Sequence, residues 1–185
     1  MKRLAKLIAI GTMLMTLSTT AQAAEGPENT LVLELEQGVV LIELLPDLAP
    51  DHVARIKELA REGFYDGVVF HRVIDGFMAQ TGDPTGTGRG GSDKPDLRAE
   101  FSAEPFVRGV IGMARTQAPN SANSQWFIAL GDARFLDSQY TVWGRVTEGM
   151  EFVDMIKKAP AGLQSGMVDD PDKIISLKVQ ADVAN

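Results

Sequence analysis

From Thr30 onward, apolar and polar positions begin to alternate. Leu31, Leu33 and Leu35 are separated by Val32, Glu34 and Glu36, a period of two that predicts a half-buried strand. Gln37-Gly38 turns the chain, and Val40, Ile42 and Leu44 continue the pattern, so a hairpin opens the domain. Pro46 and Pro50 end it. Asp51 can then cap a helix running to about Glu62, with Val53, Ile56, Leu59 and Ala60 on one face and Gly63 as C-terminal cap. Short β-like stretches follow near 68–72, 77–81, 107–114, 125–130 and 141–147. Glu148 to Lys158 suits a second helix, stopped by Pro160, and Lys173 to Val183 alternates again as a closing strand. Short strands, Gly-rich turns and two isolated helices predict a mainly β domain, a closed barrel or a sandwich.

The N-terminal segment follows another rule. Lys2, Arg3 and Lys6 precede an apolar run from Leu7 to Leu17, and Ala21-Gln22-Ala23 offers a small-x-small cleavage site. These are the three parts of a secretory signal, and the run is too short to cross a ~30 Å hydrocarbon core. The expected organisation is a signal peptide at 1–23, a loose polar leader at 24–29 and one domain at 30–185. With cleavage after Ala23, the formal charge of −7 becomes −10, because three basic residues leave with the signal. So acidic a surface argues against nucleic acid and anionic membranes as partners. The chain has no cysteine, which removes disulfides, thiol nucleophiles, thiolate metal sites and a lipid anchor on cysteine. A monomer exported to a periplasm fits these features.

Several chemistries drop out. His52 and His71 are the only histidines and lie nineteen residues apart, so no zinc spacing exists and no metal is expected. No GxSxG elbow is present, which leaves a hydrolase without a nucleophile. Gly86-Thr87-Gly88-Arg89-Gly90-Gly91 matches GxGxxG letter for letter, but Pro84 precedes it and Pro95 follows, so no helix can receive a pyrophosphate there. It is expected to be a flexible loop.

The densest unusual stretch is Phe70-His71-Arg72-Val73-Ile74-Asp75-Gly76-Phe77-Met78-Ala79-Gln80-Thr81-Gly82-Asp83. If the strands on either side of Asp75-Gly76 pair, Arg72 and Gln80 sit beside an apolar patch made by Phe77 and Met78. Apolar surface with a few placed donors suits a small ligand site; packed core and a surface ion pair are the bland alternative.

This stretch resembles the signature of the cyclophilin-type peptidyl-prolyl cis/trans isomerases. Met113-Ala114, Asn123-Ser124-Gln125-Trp126-Phe127-Ile128, Phe135-Leu136-Asp137 and Val142-Trp143-Gly144-Arg145-Val146 resemble later blocks of the same family, in order. The resemblance implies a closed eight-stranded antiparallel β-barrel capped by two α-helices, with a proline pocket on its outer face. It implies Arg72 and Gln80 as catalytic residues. Phe77, Met78, Phe127 and Leu136 would hold the proline ring, and Phe135 and Tyr140 would belong to the substrate-binding surface. Gln125 and the backbone of Ala114, Arg115 and Thr116 would pair with an extended, proline-containing polypeptide, with no cofactor. Trp126 and Trp143 are expected to be packing residues, His71 to face away from the pocket, and His52 to be solvated. Phe135 stands where many relatives carry a tryptophan that binds cyclosporin, and Tyr140 stands near a family histidine. A non-catalytic barrel that holds unfolded chains is the alternative reading.

Overall fold

The computed structural model describes residues 26–183. The expected signal peptide and the first two leader residues, Ala24 and Glu25, therefore lie outside the described residues. Among the described residues, no helix is long and apolar enough to cross a membrane. Pro27–Asn29, expected to be part of a loose leader, form a 3-10 turn whose Glu28 pairs with Lys57 at 2.7 Å and Arg61 at 3.0 Å.

The strands are β1 (Thr30–Leu35), β2 (Gly38–Leu44), β3 (Arg72–Ile74), β4 (Met78–Thr81), β5 (Val110–Met113), β6 (Trp126–Ala129), β7 (Val142–Glu148) and β8 (Ser176–Val179). All pairings are antiparallel, in one curled sheet of order β3-β4-β6-β5-β7-β2-β1-β8. The terminal strands β3 and β8 are not paired with each other, so the sheet does not close strand to strand as expected. Instead the chain around β3 meets the irregular segment entering β8: Gly67 N–H donates to Ile174 O (2.8 Å), Phe70 N–H to Asp172 O (2.9 Å) and Val73 N–H to Gly166 O (2.9 Å). The strand expected at 68–72 begins at Arg72, because Val69 makes only an isolated bridge to Lys173.

Strand alternation sorts residues into two apolar clusters. Leu31, Leu33, Ile42, Val73, Ala79, Ile111, Trp126, Ile128, Trp143 and Leu177 fill the inside of the curl with one face of α1 (Pro50–Arg61). Trp126 and Trp143 are fully buried there and meet edge to face at 5.7 Å, as packing residues do. Met78, Phe106, Phe127, Leu136 and Val142 form a second cluster on the outer face. Neighbours such as Trp126 and Phe127 thus serve opposite sides of one sheet.

The helices correct the sequence reading in detail. α1 begins with Pro50 at its first position; Ala49 precedes it without a side-chain cap, so Asp51 is not the cap. Glu100 caps from afar: its carboxylate accepts the Asp51 and His52 N–H groups at 3.2 and 3.1 Å. His52, expected in solvent, is fully buried, with Nδ1 2.5 Å from the same carboxylate. Gly63 does end the helix. At φ +69 it lets its own N–H reach Ala60 O and the Phe64 N–H reach Leu59 O. The second helix, α2 (Met150–Met155), is shorter than expected, because Ile156 turns extended.

Candidate functional site

β3 and β4 pair with Arg72 directly opposite Gln80, and β4 pairs with β6 so that Gln80 lies opposite Phe127. This register gathers the polar and apolar parts of the site on the outer face. A cavity of about 120 Å³ is lined by Arg72, Phe77, Met78, Gln80, Ala114, Arg115, Phe127, Leu136 and Tyr140. Met78, Phe127 and Leu136 are buried apolar walls. Phe127 stacks on Phe106 (centroids 5.6 Å), and Tyr140 meets both rings edge-on.

The polar side is one directional chain. Arg72 Nη1 donates to Gln80 Oε1 (3.2 Å), Gln80 Nε2 to Gln125 Oε1 (2.9 Å), and Gln125 Nε2 to the Gly90 carbonyl (2.8 Å). A guanidinium can only donate and a carbonyl can only accept. The two ends therefore dictate which way both amides point. Arg72 Nε is held by the Ser165 carbonyl at 2.9 Å, and among the described residues Nη2 makes no hydrogen bond. Its two N–H groups are available to a bound molecule. Burial pulls the Arg72 pKa down, partly opposed by the Tyr140 phenol, yet a guanidinium stays cationic at any physiological pH.

Other expected residues fall differently. Phe135 is 63% exposed and packs on Phe77 (centroids 5.3 Å) at the rim of the cavity. Gln125 and Thr116 line an adjoining cavity of about 510 Å³, together with Gly90 and Asn123. The Thr116 N–H already donates to Ser121 Oγ (3.0 Å). The Arg115 guanidinium lies 4.5 Å from the Tyr140 ring centroid and donates to the carbonyls of Gln139 and Thr116. His71 is buried behind the sheet, and burial pushes its pKa below the ordinary imidazole value, partly opposed by Asp83.

Sequence reasoning missed four contributors. Ser165 and Gly90 act through carbonyls, which no side-chain pattern reveals. Phe106 lies in a stretch without periodicity. Asp83 closes the signature stretch but has no role until the loop after it is seen. That loop, expected to be flexible, is tied to Asp83. No helix follows its GxGxxG stretch before β5, so it is no dinucleotide fingerprint.

The sequence profile described as "Cyclophilin type peptidyl-prolyl cis-trans isomerase/CLD" matches residues 30–179. A Brucella suis protein named "Probable peptidyl-prolyl cis-trans isomerase" is 58% identical over 174 residues, covering 88% of each chain. The crystal structure of a cyclophilin from Hirschia baltica superposes with a TM-score of 0.77 at 30% identity, covering 87% of this chain and 77% of that one. A Cryptosporidium parvum cyclophilin-type isomerase, crystallised in the presence of the dipeptide Ala-Pro, gives a TM-score of 0.73 at 26% identity, with 81% and 98% covered. Signature, fold and relatives agree: the chain belongs to the cyclophilin-type peptidyl-prolyl cis-trans isomerases.

Proposed function

We propose that this chain rotates X-Pro bonds in exported polypeptides as they fold, with Arg72 as the principal catalytic group. An X-Pro amide resists rotation by ~18–20 kcal/mol because resonance must be broken. No bond is made or cut, so the chemistry asks for no nucleophile, metal or cofactor, only tighter binding of the twisted amide than of either planar form. In the twisted state the prolyl nitrogen regains a lone pair and accepts a hydrogen bond. The observation that carries the proposal is the Arg72 guanidinium on the wall of a cavity of about 120 Å³ whose other walls include Phe77, Met78, Phe127 and Leu136, braced by Gln80 and Ser165 with Nη2 unpaired among the described residues. An acceleration of roughly 10⁵ needs about 7 kcal/mol of differential stabilisation, within reach of a few charge-assisted bonds in a desolvated site.

Phe77, Met78, Phe127, Leu136 and Tyr140 hold the proline ring, with Phe135 extending the apolar rim. Gln80, Gln125 and the backbone of Ala114 and Arg115 engage the chain on either side of it. Thr116 borders the path with its N–H already occupied. Closure of the curled sheet into a barrel is part of this proposal, supported by the backbone bonds between residues 67–73 and 166–174. Export through residues 1–23 and action in the periplasm rest on the basic, apolar, AQA order of those residues.

Exchange spectroscopy on a proline peptide measures binding and interconversion in one sample. Arg72→Ala should lose ~10²–10³ in kcat/KM while binding changes little. Arg72→Lys should not rescue it, because an ammonium lacks the planar fork. Full turnover in Arg72→Ala refutes the assignment. A wild type that binds proline peptides without accelerating exchange would instead favour the holding role.

A further inference from the structure

Asp83 is fully buried, yet no ion pair accounts for its charge among the described residues. All its partners come from the loop that follows. Oδ1 accepts the Thr85 N–H and hydroxyl, each at 2.8 Å, while Oδ2 accepts the N–H groups of Arg89 and Gly90, each at 3.0 Å. The Thr87 hydroxyl adds a longer contact of 3.4 Å. One carboxylate thus winds residues 85–90 around itself. Gly86 and Gly88 supply the left-handed backbone that such a tight wrap requires, at φ +67 and +79.

Gly90 faces two ways. Its N–H donates to Asp83, and its carbonyl accepts from Gln125 Nε2, the last link of the chain that begins at Arg72. The fit leaves no slack, since a Cβ at Gly90 would stand 2.2 Å from Asp83 Oδ1.

We propose that Asp83 is a positioning residue for catalysis: by anchoring the Gly90 peptide it sets the carbonyl that orients Gln125, then Gln80, and through Gln80 the Arg72 guanidinium. It touches no substrate and acts only through this chain of bonds. The proposal rests on the catalytic assignment of Arg72. Its reach is a consequence of polarity. If the Gly90 carbonyl withdraws, Gln125 is free to flip, Gln80 loses its acceptor, and Arg72 faces an amide that can turn its NH₂ toward it.

Asp83→Asn keeps the shape but brings an NH₂ against N–H donors that need an acceptor. Gly90→Ala keeps the carboxylate and displaces the peptide. Each should lower kcat about 5–20-fold with KM changed less than about twofold, measured well below the melting temperature of each variant. Both substitutions should be nearly silent in kcat when added to Gln125→Leu, where the chain is already cut. A merely structural role predicts the reverse, losses that multiply with Gln125→Leu, and that result overturns the proposal. If Asp83→Asn does not fold, the Gly90→Ala cycle decides alone. Full kcat in both variants alongside an inactive Arg72→Ala overturns the role of Asp83 and leaves that of Arg72 standing. An active Arg72→Ala overturns the reading beneath both.

Discussion

Gly112 lies on β5 opposite Phe127, and a Cβ there would stand 2.7 Å from Phe106 Cε1 and 2.9 Å from Phe127 Cζ. Ordinary contact begins near 3.4 Å, so in Gly112→Ala these rings must withdraw by about 0.5–0.7 Å. Phe106 is fully buried, and its backbone N–H is tied to Asp137 Oδ1 at 2.8 Å. Phe127 borders the 120 Å³ cavity and has open space before it, so Phe127 yields. Overpacking costs about 1–3 kcal/mol, and replacing a strand glycine by alanine returns about 0.5–1 kcal/mol. The net loss of ~0–2.5 kcal/mol lowers the melting temperature by up to about 10 °C. Misfit of under 1 Å forfeits a quarter to a half of each dispersion contact, so proline binding should weaken by ~1 kcal/mol, a KM rise of about fivefold. Because Arg72 and Gln80 stand on β3 and β4, kcat should change less than about twofold. Exchange spectroscopy on a proline peptide separates the two quantities. Adding Phe106→Leu should restore room and most of the affinity. An unchanged KM in Gly112→Ala, or a raised KM that Phe106→Leu leaves in place, refutes the account of the pocket floor.

Stability should depend on pH through two buried groups. Burial alone would raise the Asp83 pKa, but N–H donors from Gly90 and Thr85 hold it at about 2, below its unfolded value; its stabilisation is present above roughly pH 4 and lost as pH falls toward 2. His71 is buried neutral with a lowered pKa, so the unfolded chain takes up a proton first and stability should decline as pH drops below about 6.5; urea midpoints from pH 8 to 5 should show this, and His71→Gln should flatten the curve. Glu100→Ala strips α1 of its remote cap and should cost about 1–2 kcal/mol in urea unfolding with catalysis unaltered, whereas an unchanged midpoint would remove Glu100 from the capping role. Protein recovered from the cell envelope should begin at Ala24, and an intact Met1 there would refute export by cleavage.

Elements whose signal is local were legible in the sequence. The β1–β2 hairpin follows from period-two burial across a Gly turn, and the buried stripe of α1 and its Gly63 terminus follow from helical spacing. The turn at Asp75-Gly76 made pairing of the flanking strands an open possibility, and the structure supplies the register that sets Arg72 opposite Gln80. Family resemblance then supplied residues far apart in sequence, such as Gln125 and Phe127, whose proximity no periodicity encodes. Tertiary structure decided the rest, because it depends on partners distant along the chain. Glu100 rather than Asp51 caps α1 because Asp51 already lies inside the first turn, while the Glu100 carboxylate, distant in sequence, accepts its free N–H groups and the ring of the buried His52 meets the same carboxylate. The loop after Asp83 has the composition of a flexible segment. It is shaped by one buried carboxylate whose donors include backbone N–H groups that every non-proline residue possesses, so no residue type announces it. The same holds for the Ser165 and Gly90 carbonyls that brace Arg72 and Gln125. Side-chain chemistry is written in the sequence, but the backbone groups that aim it exist as a site only once the chain has folded.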